Sequence, residues 1–455
     1  MTRRTTALLP AALAALLALT ACSADGTRAG TGPDDAASAD ETAVPHGYVE
    51  GARELQEPQL RLVALDGDVL TALDPATGET VELASGGALG DASSLATDGR
   101  HLFAAGPDGA LTIVDGGAWT VPHGDHSHYY LAEPRVVAEP GDLDVETGDA
   151  VPSSDDGAQE VRVASSASLT AAFWPTTGTG LVLDGDALAD GEVDEVGRVE
   201  GTPHDGVLVP LGDHVVASVV RGSATDGSVT DGPAGADGPR RRADTVVVTT
   251  ADGEPVDGLE APCPDLRGAA ATRVGVVVGC SDGAVLATVD AAGHAELERI
   301  PYPADAAPTA SEAATSFAAR PGRPAVASVA GDRGAWLLDT RARAWTLIET
   351  PEPLLRATAV GDADGTVVAV DASGRVVVLS PQGVVAQTEP LVAADLVAGA
   401  DGPELPAGVV LEVDASRSYL NSPSAGVVHE IDHADSARVA RTLSLPGRLV
   451  VETGR

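Results

Sequence analysis

Arg356 to Pro390 reads RATAVGDADGTVVAVDASGRVVVLSPQGVVAQTEP. Short Val-rich runs alternate with Asp-Gly, Ser-Gly and Gln-Gly turns, and the second run ends in an aspartate. Glycine between β-branched runs is a hairpin signal, because it accepts the positive φ that a tight turn requires. The stretch therefore predicts a four-stranded antiparallel meander.

The same module recurs from Leu60 onward, most clearly in Leu60 to Leu83 and Ala269 to Ile300. Meander starts fall near Asp91, Val161, Gly206, Gly268, Thr315, Arg356 and Gly408. The copy at Leu60 makes eight, and it holds only three strands before the next begins. Arg448 to Glu452 (RLVVE) is a spare strand at the C-terminus that would complete it and close a ring of sheets without exposed edges. The expected fold is all-β: a single β-propeller of eight four-stranded blades, closed by the C-terminal strand, with seven blades as the alternative. Composition agrees, with 52 Gly, 31 Pro and 3% aromatics in 455 residues, as many strands punctuated by turns require.

Residues 1–21 read as a lipoprotein signal peptide. Arg3 and Arg4 form the charged region, Ala7 to Leu19 the apolar region, and Leu19-Thr20-Ala21-Cys22 a lipobox. Cys22 is the expected lipidation site. Residues 22–45 lack hydrophobic period and read as a flexible tether, leaving 46–455 for the propeller. Within it, 141–159 and 222–242 are rich in Asp, Gly, Pro and Ser and read as disordered insertions or surface loops. The expected location is extracytoplasmic, with the chain lipid-anchored to the cell membrane and acting as a monomer. In that oxidising compartment the two remaining cysteines, Cys263 and Cys280, read as a disulfide, with a pair of thiolate zinc ligands as the competing assignment.

The formal charge of −40 becomes −42 once a leader holding Arg3, Arg4 and no acid is removed. Such a surface repels phosphate, so nucleic acid is excluded as a partner, and it attracts cations. The chain lacks a G-x-S-x-G elbow, a P-loop and a dinucleotide-binding glycine motif, and no enzymatic activity is expected. What stands out is Val121-Pro122-His123-Gly124-Asp125-His126-Ser127-His128, which packs three of ten histidines and an aspartate into six residues. Neutral imidazoles suit zinc or copper, and this spacing lets one loop deliver several nitrogens to one ion. His204 and Asp205 precede an innermost strand, where loops crowd the mouth of a propeller channel. The 123–130 loop is expected to fold across that same face. His101 and His294 read as surface turn residues, and His429 and His433 as a weak surface pair.

Pro45 to Leu60 (PHGYVEGARELQEPQL), Gly99 to Phe103 (GRHLF) and His123 to Pro134 (HGDHSHYYLAEP) resemble the AztD-type zinc metallochaperones. Cys263-Pro264, Gly279-Cys280 and Ile300 to Pro303 (IPYP) extend the resemblance over most of the chain from residue 45. It implies a secreted propeller that binds Zn2+ and passes it to the solute-binding protein of a zinc ABC importer. Motif by motif, it maps the family's histidine-rich loop onto His123, His126 and His128, and a Pro-His-x-Gly segment onto His204. Two positions depart from the pattern: Arg267 stands where the family carries His, and Val161 to Ser166 lacks a histidine expected at a strand start. A permanent cation there weakens or relocates a central site, so the expected donors are His123, His126, His128, His204 and Asp125. Two other classes remain open, an interaction propeller with a degenerate metal site and a metal-dependent hydrolase.

Overall fold

Strands Leu354–Ala359, Val367–Asp371, Val376–Ser380 and Gly383–Gln387 form an antiparallel sheet in that order, as the Arg356 stretch predicts. Asp371 ends the second strand because its side chain builds the turn. Its Oδ1 accepts from the backbone N–H of Ser373 and Arg375 at 2.9 and 3.0 Å. Gly374 completes the turn at φ +79, where a Cβ would come within 2.7 Å of the Ala393 nitrogen. The device recurs at Asp74, whose Oδ1 accepts from Ala76 at 2.7 Å, and at Asp290, which holds Ala292 and His294 at 2.8 and 2.9 Å. The aspartates that end the apolar runs are thus turn-formers of the Asx type.

The computed structural model describes residues 47–106, 108–123, 126–143, 145, 161–221, 241–314, 316–400 and 402–454. The expected leader, Cys22 and tether, together with His46, Asp125 and most of 141–159 and 222–242, lie outside the described residues. The described ones all belong to one unit, His46–Arg455. Among them are seven four-stranded antiparallel sheets, an arrangement consistent with a β-propeller. The spare C-terminal strand joins the first sheet: Leu449–Thr453 pairs with Arg61–Asp66, Val451 opposite Val63. Strands Ala325–Val329, Gly334–Asp339 and Ala344–Glu349 form a three-stranded sheet. Ala318 bridges to Ala327 and Ala319 to Ala359, in the place of its first strand.

Burial explains the sequence patterns. Second strands such as His101–Ala105, Val276–Cys280 and Val367–Asp371 are buried at every position, since sheets cover both their faces and continuous apolar runs result. Outermost strands such as Ala295–Pro301 keep exposed charged residues among half-buried ones. Side chains of consecutive sheets interlock: Val207, Val209 and Val216 pack with Val276, Val278 and Val285, and each fully buried Val contributes about 1.5–3 kcal/mol. Leu62, Ala64 and Leu73 of the first sheet share a cluster with Tyr419 and Val428 of the last. Cys263 and Cys280 are bonded to each other, with Cα atoms 4.9 Å apart and both residues fully buried. The bond staples the end of one sheet to the second strand of the next and contributes about 3 kcal/mol by loop-closure entropy.

One sheet is interrupted between its third and fourth strands. Ser94–Thr97, His101–Ala105 and Leu111–Asp115 are followed by the strands Ala118–His123 and His126–Leu131 before Arg135–Ala138 completes the sheet. The two inserted strands pair with each other, and Arg53–Leu55 adds to the second as a third strand. Ala118–His123 and His126–Leu131 are therefore paired strands, where the sequence reads a 123–130 loop. Its His-Ser-His-Tyr-Tyr order has the period of a strand, with aromatic residues that favour extended backbone.

Candidate metal site

The hairpin register sets His123 opposite His126, Val121 opposite His128 and Trp119 opposite Tyr130. Successive side chains of a strand alternate between faces, so His126, His128 and Tyr130 share one. Their rings form a row. His126 and His128 have centroids 5.0 Å apart, His128 and Tyr130 stack at 6.2 Å, and Tyr130 stacks on Trp119 at 5.3 Å. The Arg100 guanidinium caps the row, 3.8 Å over the Trp119 ring. Tyr130 is wholly buried; burial first, and then the Glu54 charge, raise its phenol pKa above the ordinary value.

Glu54 reaches this row from the third strand. Its Oε1 accepts from His128 Nδ1 at 2.7 Å. The segment before it is held by Trp119 Nε1, which donates to the Gly47 carbonyl at 3.2 Å, and by Tyr48 edge-on to Tyr130 at 6.4 Å. The hairpin is also tied to the C-terminus, since Thr120 Oγ1 donates to the Gly454 carbonyl at 2.9 Å.

The spacing of the two imidazoles can be compared with that of two ligands on one ion. With zinc–nitrogen bonds of about 2.0–2.1 Å and tetrahedral angles, the ring centroids of two histidine ligands stand roughly 5 Å apart. His126 and His128 meet that spacing on one face of a strand. Two donors alone make half a site. Among the described residues no group of three or more His, Cys, Asp or Glu side chains is set to hold a metal ion; the Asp125 residue and the His123 side chain lie outside them.

His204 stands elsewhere. It precedes the first strand of its sheet, Leu208–Leu211, whereas the hairpin leaves the end of a third strand. In an antiparallel meander those two connections lie at opposite ends of the sheet. The bond from Thr120 to Gly454, just past the first strand Leu449–Thr453, likewise sets the hairpin where first strands finish. The structure thus brings His126 and His128 together and does not bring His204 to them.

Both ring nitrogens of His204 are occupied: Nδ1 donates to the Thr202 carbonyl at 2.7 Å, and Nε2 meets Ser218 Oγ at 2.9 Å. Because a carbonyl only accepts, Nδ1 carries the proton and Nε2 accepts from the hydroxyl. Phe173 packs 5.1 Å from the ring, and the residue is 3% exposed. As placed, it pins the entry of one sheet to its second strand, and a metal would have to displace Ser218.

Arginines form salt bridges near this point. Arg162 donates to the Gly206 carbonyl at 2.5 Å and pairs with Asp205 at 3.2 Å. Arg267 is bonded to Asp265, donates to the Ala310 carbonyl at 2.8 Å, and Arg242 approaches Asp265 at 3.5 Å. The histidines read as surface residues divide. His294 is exposed beside Asp290, but His101 is 3% exposed, with Nδ1 2.8 Å from Asp98 and Nε2 3.1 Å from the Leu188 carbonyl. His433 is buried against Ser418 at 2.8 Å. Sequence reasoning missed Glu54, whose strand carries no periodic signal of its own; only its place within the Pro45 to Leu60 stretch marked it.

Buried and half-buried rings give the molecule an acid-sensitive stability. Burial is the largest cause holding His204, His429 and His433 below the ordinary histidine pKa. Groups depressed in the folded state are protonated first in the unfolded chain, so their stability is intact above about 6.5 and declines as pH falls below it. For Asp98 and Asp115 burial raises the pKa, but hydrogen bonds from His101 and Arg100 outweigh it and the net shift is downward. Their contribution is lost only below about pH 4. Urea midpoints of the leaderless protein should fall between about pH 7 and pH 5; a midpoint that is flat or rises over that range would contradict the assignment.

No family model matches the sequence. Among solved structures, apo AztD from Citrobacter koseri superposes with a TM-score of 0.66 at 19% identity, covering 87% of this chain and 98% of its own. A second crystal structure of Citrobacter koseri AztD gives a TM-score of 0.65 at 18% identity, covering 87% and 97%. Both likenesses extend over most of the two chains, and the chain has the AztD fold.

Proposed function

We propose that the chain is an AztD-type zinc carrier, held outside the cytoplasmic membrane by lipid on Cys22. It takes up Zn2+ at the Ala118–Leu131 hairpin and releases it by ligand exchange to the solute-binding protein of a zinc ABC importer. The observation that carries this is the pair of imidazoles on one strand face, 5.0 Å apart. His123 and Asp125 are the nearest candidates in sequence to complete the coordination; His204, bonded to Thr202 and Ser218, is not one of them. The chain is not an enzyme in this account: its task is to bind and hand over an ion. A formal charge of −40 concentrates cations and disfavours docking to another acidic protein, so the recipient presents a basic or neutral face. The sheets are taken as eight blades of one propeller, closed where Leu449–Thr453 pairs with Arg61–Asp66.

A second reading, an interaction propeller with a degenerate site, is favoured by the arginines. Arg267, where the family pattern has histidine, is engaged with Asp265, and Arg162, in the Val161 to Ser166 strand start that lacks the expected histidine, pairs with Asp205. Elemental analysis of protein purified from its own compartment separates the two. The carrier holds about one zinc per chain, and a chelator lowers its thermal stability; the degenerate propeller holds a small fraction and is indifferent to chelation.

A further inference from the structure

We propose that Glu54 is the positioning residue of the hairpin site, an inference that rests on the zinc reading of His126 and His128. Its carboxylate lies 2.7 Å from His128 Nδ1. A carboxylate only accepts, so Nδ1 carries the proton, and in the neutral ring the lone pair belongs to Nε2. Free imidazole in water has no such constraint. Glu54 therefore fixes in advance the tautomer and ring angle with which His128 ligates, the part a carboxylate plays behind a metal-bound histidine.

Three features make this contact more than a surface ion pair. The pair spans 74 residues of sequence, so it exists only because Arg53–Leu55 adds to the hairpin, with Glu54 opposite Tyr130 and Arg53 opposite Leu131. The His128 ring is fixed from both sides by His126 and Tyr130, so rotation cannot easily replace the acceptor. The His128 side chain is 17% exposed and that of Glu54 45%, which leaves the carboxylate replaceable without opening the core. The strand that carries Glu54 also begins directly after the segment docked by Trp119 and Tyr130, so the quality of the ligand depends on the N-terminal strand being in place.

Glu54→Ala and Glu54→Gln variants of the leaderless protein test the role, with two readouts. Nitrogen chemical shifts of His128 in the metal-free proteins report the tautomer, and competition with a chromophoric chelator reports zinc affinity. Wild type should show the proton on Nδ1. Glu54→Ala should move the population toward the Nε2-protonated form and weaken zinc binding about 10–100-fold. Glu54→Gln keeps an acceptor oxygen and should retain the tautomer with a smaller loss. An unchanged tautomer or an unchanged affinity in Glu54→Ala overturns the positioning role. Wild-type zinc affinity that survives His126→Ala/His128→Ala overturns the site reading itself, a different result from failure of the Glu54 variant alone.

Discussion

Asp115→Ala is expected to lower the unfolding free energy of the leaderless protein by about 3–5 kcal/mol, because it strands a buried cation. Asp115 ends a third strand, and its carboxylate takes Arg100 in a two-point grip, Nε at 3.1 Å and Nη2 at 2.7 Å. The side chains are 10% and 2% exposed, so solvent screening does little to soften the loss. Arg100 also donates to the Ala189 carbonyl at 2.7 Å and covers the Trp119 ring. The same carboxylate accepts from the Gly117 backbone at 2.9 Å, at the root of the hairpin. Removing Asp115 leaves the guanidinium desolvated and releases the turn from which the histidine strand departs. Denaturant unfolding measures the loss, and adding Arg100→Leu should recover part of it by removing the orphaned charge. A loss below about 1 kcal/mol would place the pair among ordinary surface ion pairs.

Much of this architecture was legible because its turns are chemically marked. Asp371, Asp74 and Asp290 announce their meanders by the carboxylates that build the turns, and the apolar runs between them need both faces covered. The C-terminal strand was legible as an unpaired partner for a three-stranded module, and it pairs with Arg61–Asp66. The pairing of Cys263 with Cys280 was legible as the even pair left beside Cys22. What escaped depends on contacts distant in sequence. His101 looked like a turn residue because nothing near it shows the helix Gly185–Asp190, whose Leu188 carbonyl lies 3.1 Å from its ring. His204 was placed correctly at the entry to a first strand, but Ser218, fourteen residues later, occupies its Nε2. The strand form of His126 and His128 is masked in the sequence because histidine and serine have little β-propensity of their own, and the alternation shows only with Tyr130 included. The strand form is the more favourable for an ion, because it holds both rings on one face.

Replacing His126 and His128 together by alanine carries the largest expected functional effect. Apparent zinc affinities of about 10–16 kcal/mol shared among four ligands assign roughly 3 kcal/mol to each. Loss of two donors should then weaken binding by about 10⁴-fold. The fold should be untouched, since His126 is exposed and the core row beneath begins at Tyr130 and Trp119. A titration of the metal-free, leaderless protein with Zn2+ in a competing chelator, run beside His126→Ala/His128→Ala, tests the carrier account most directly. It predicts one tight zinc in the wild type that is absent from the double variant, with superimposable unfolding curves for the two metal-free proteins. Equal zinc affinity in both would contradict it.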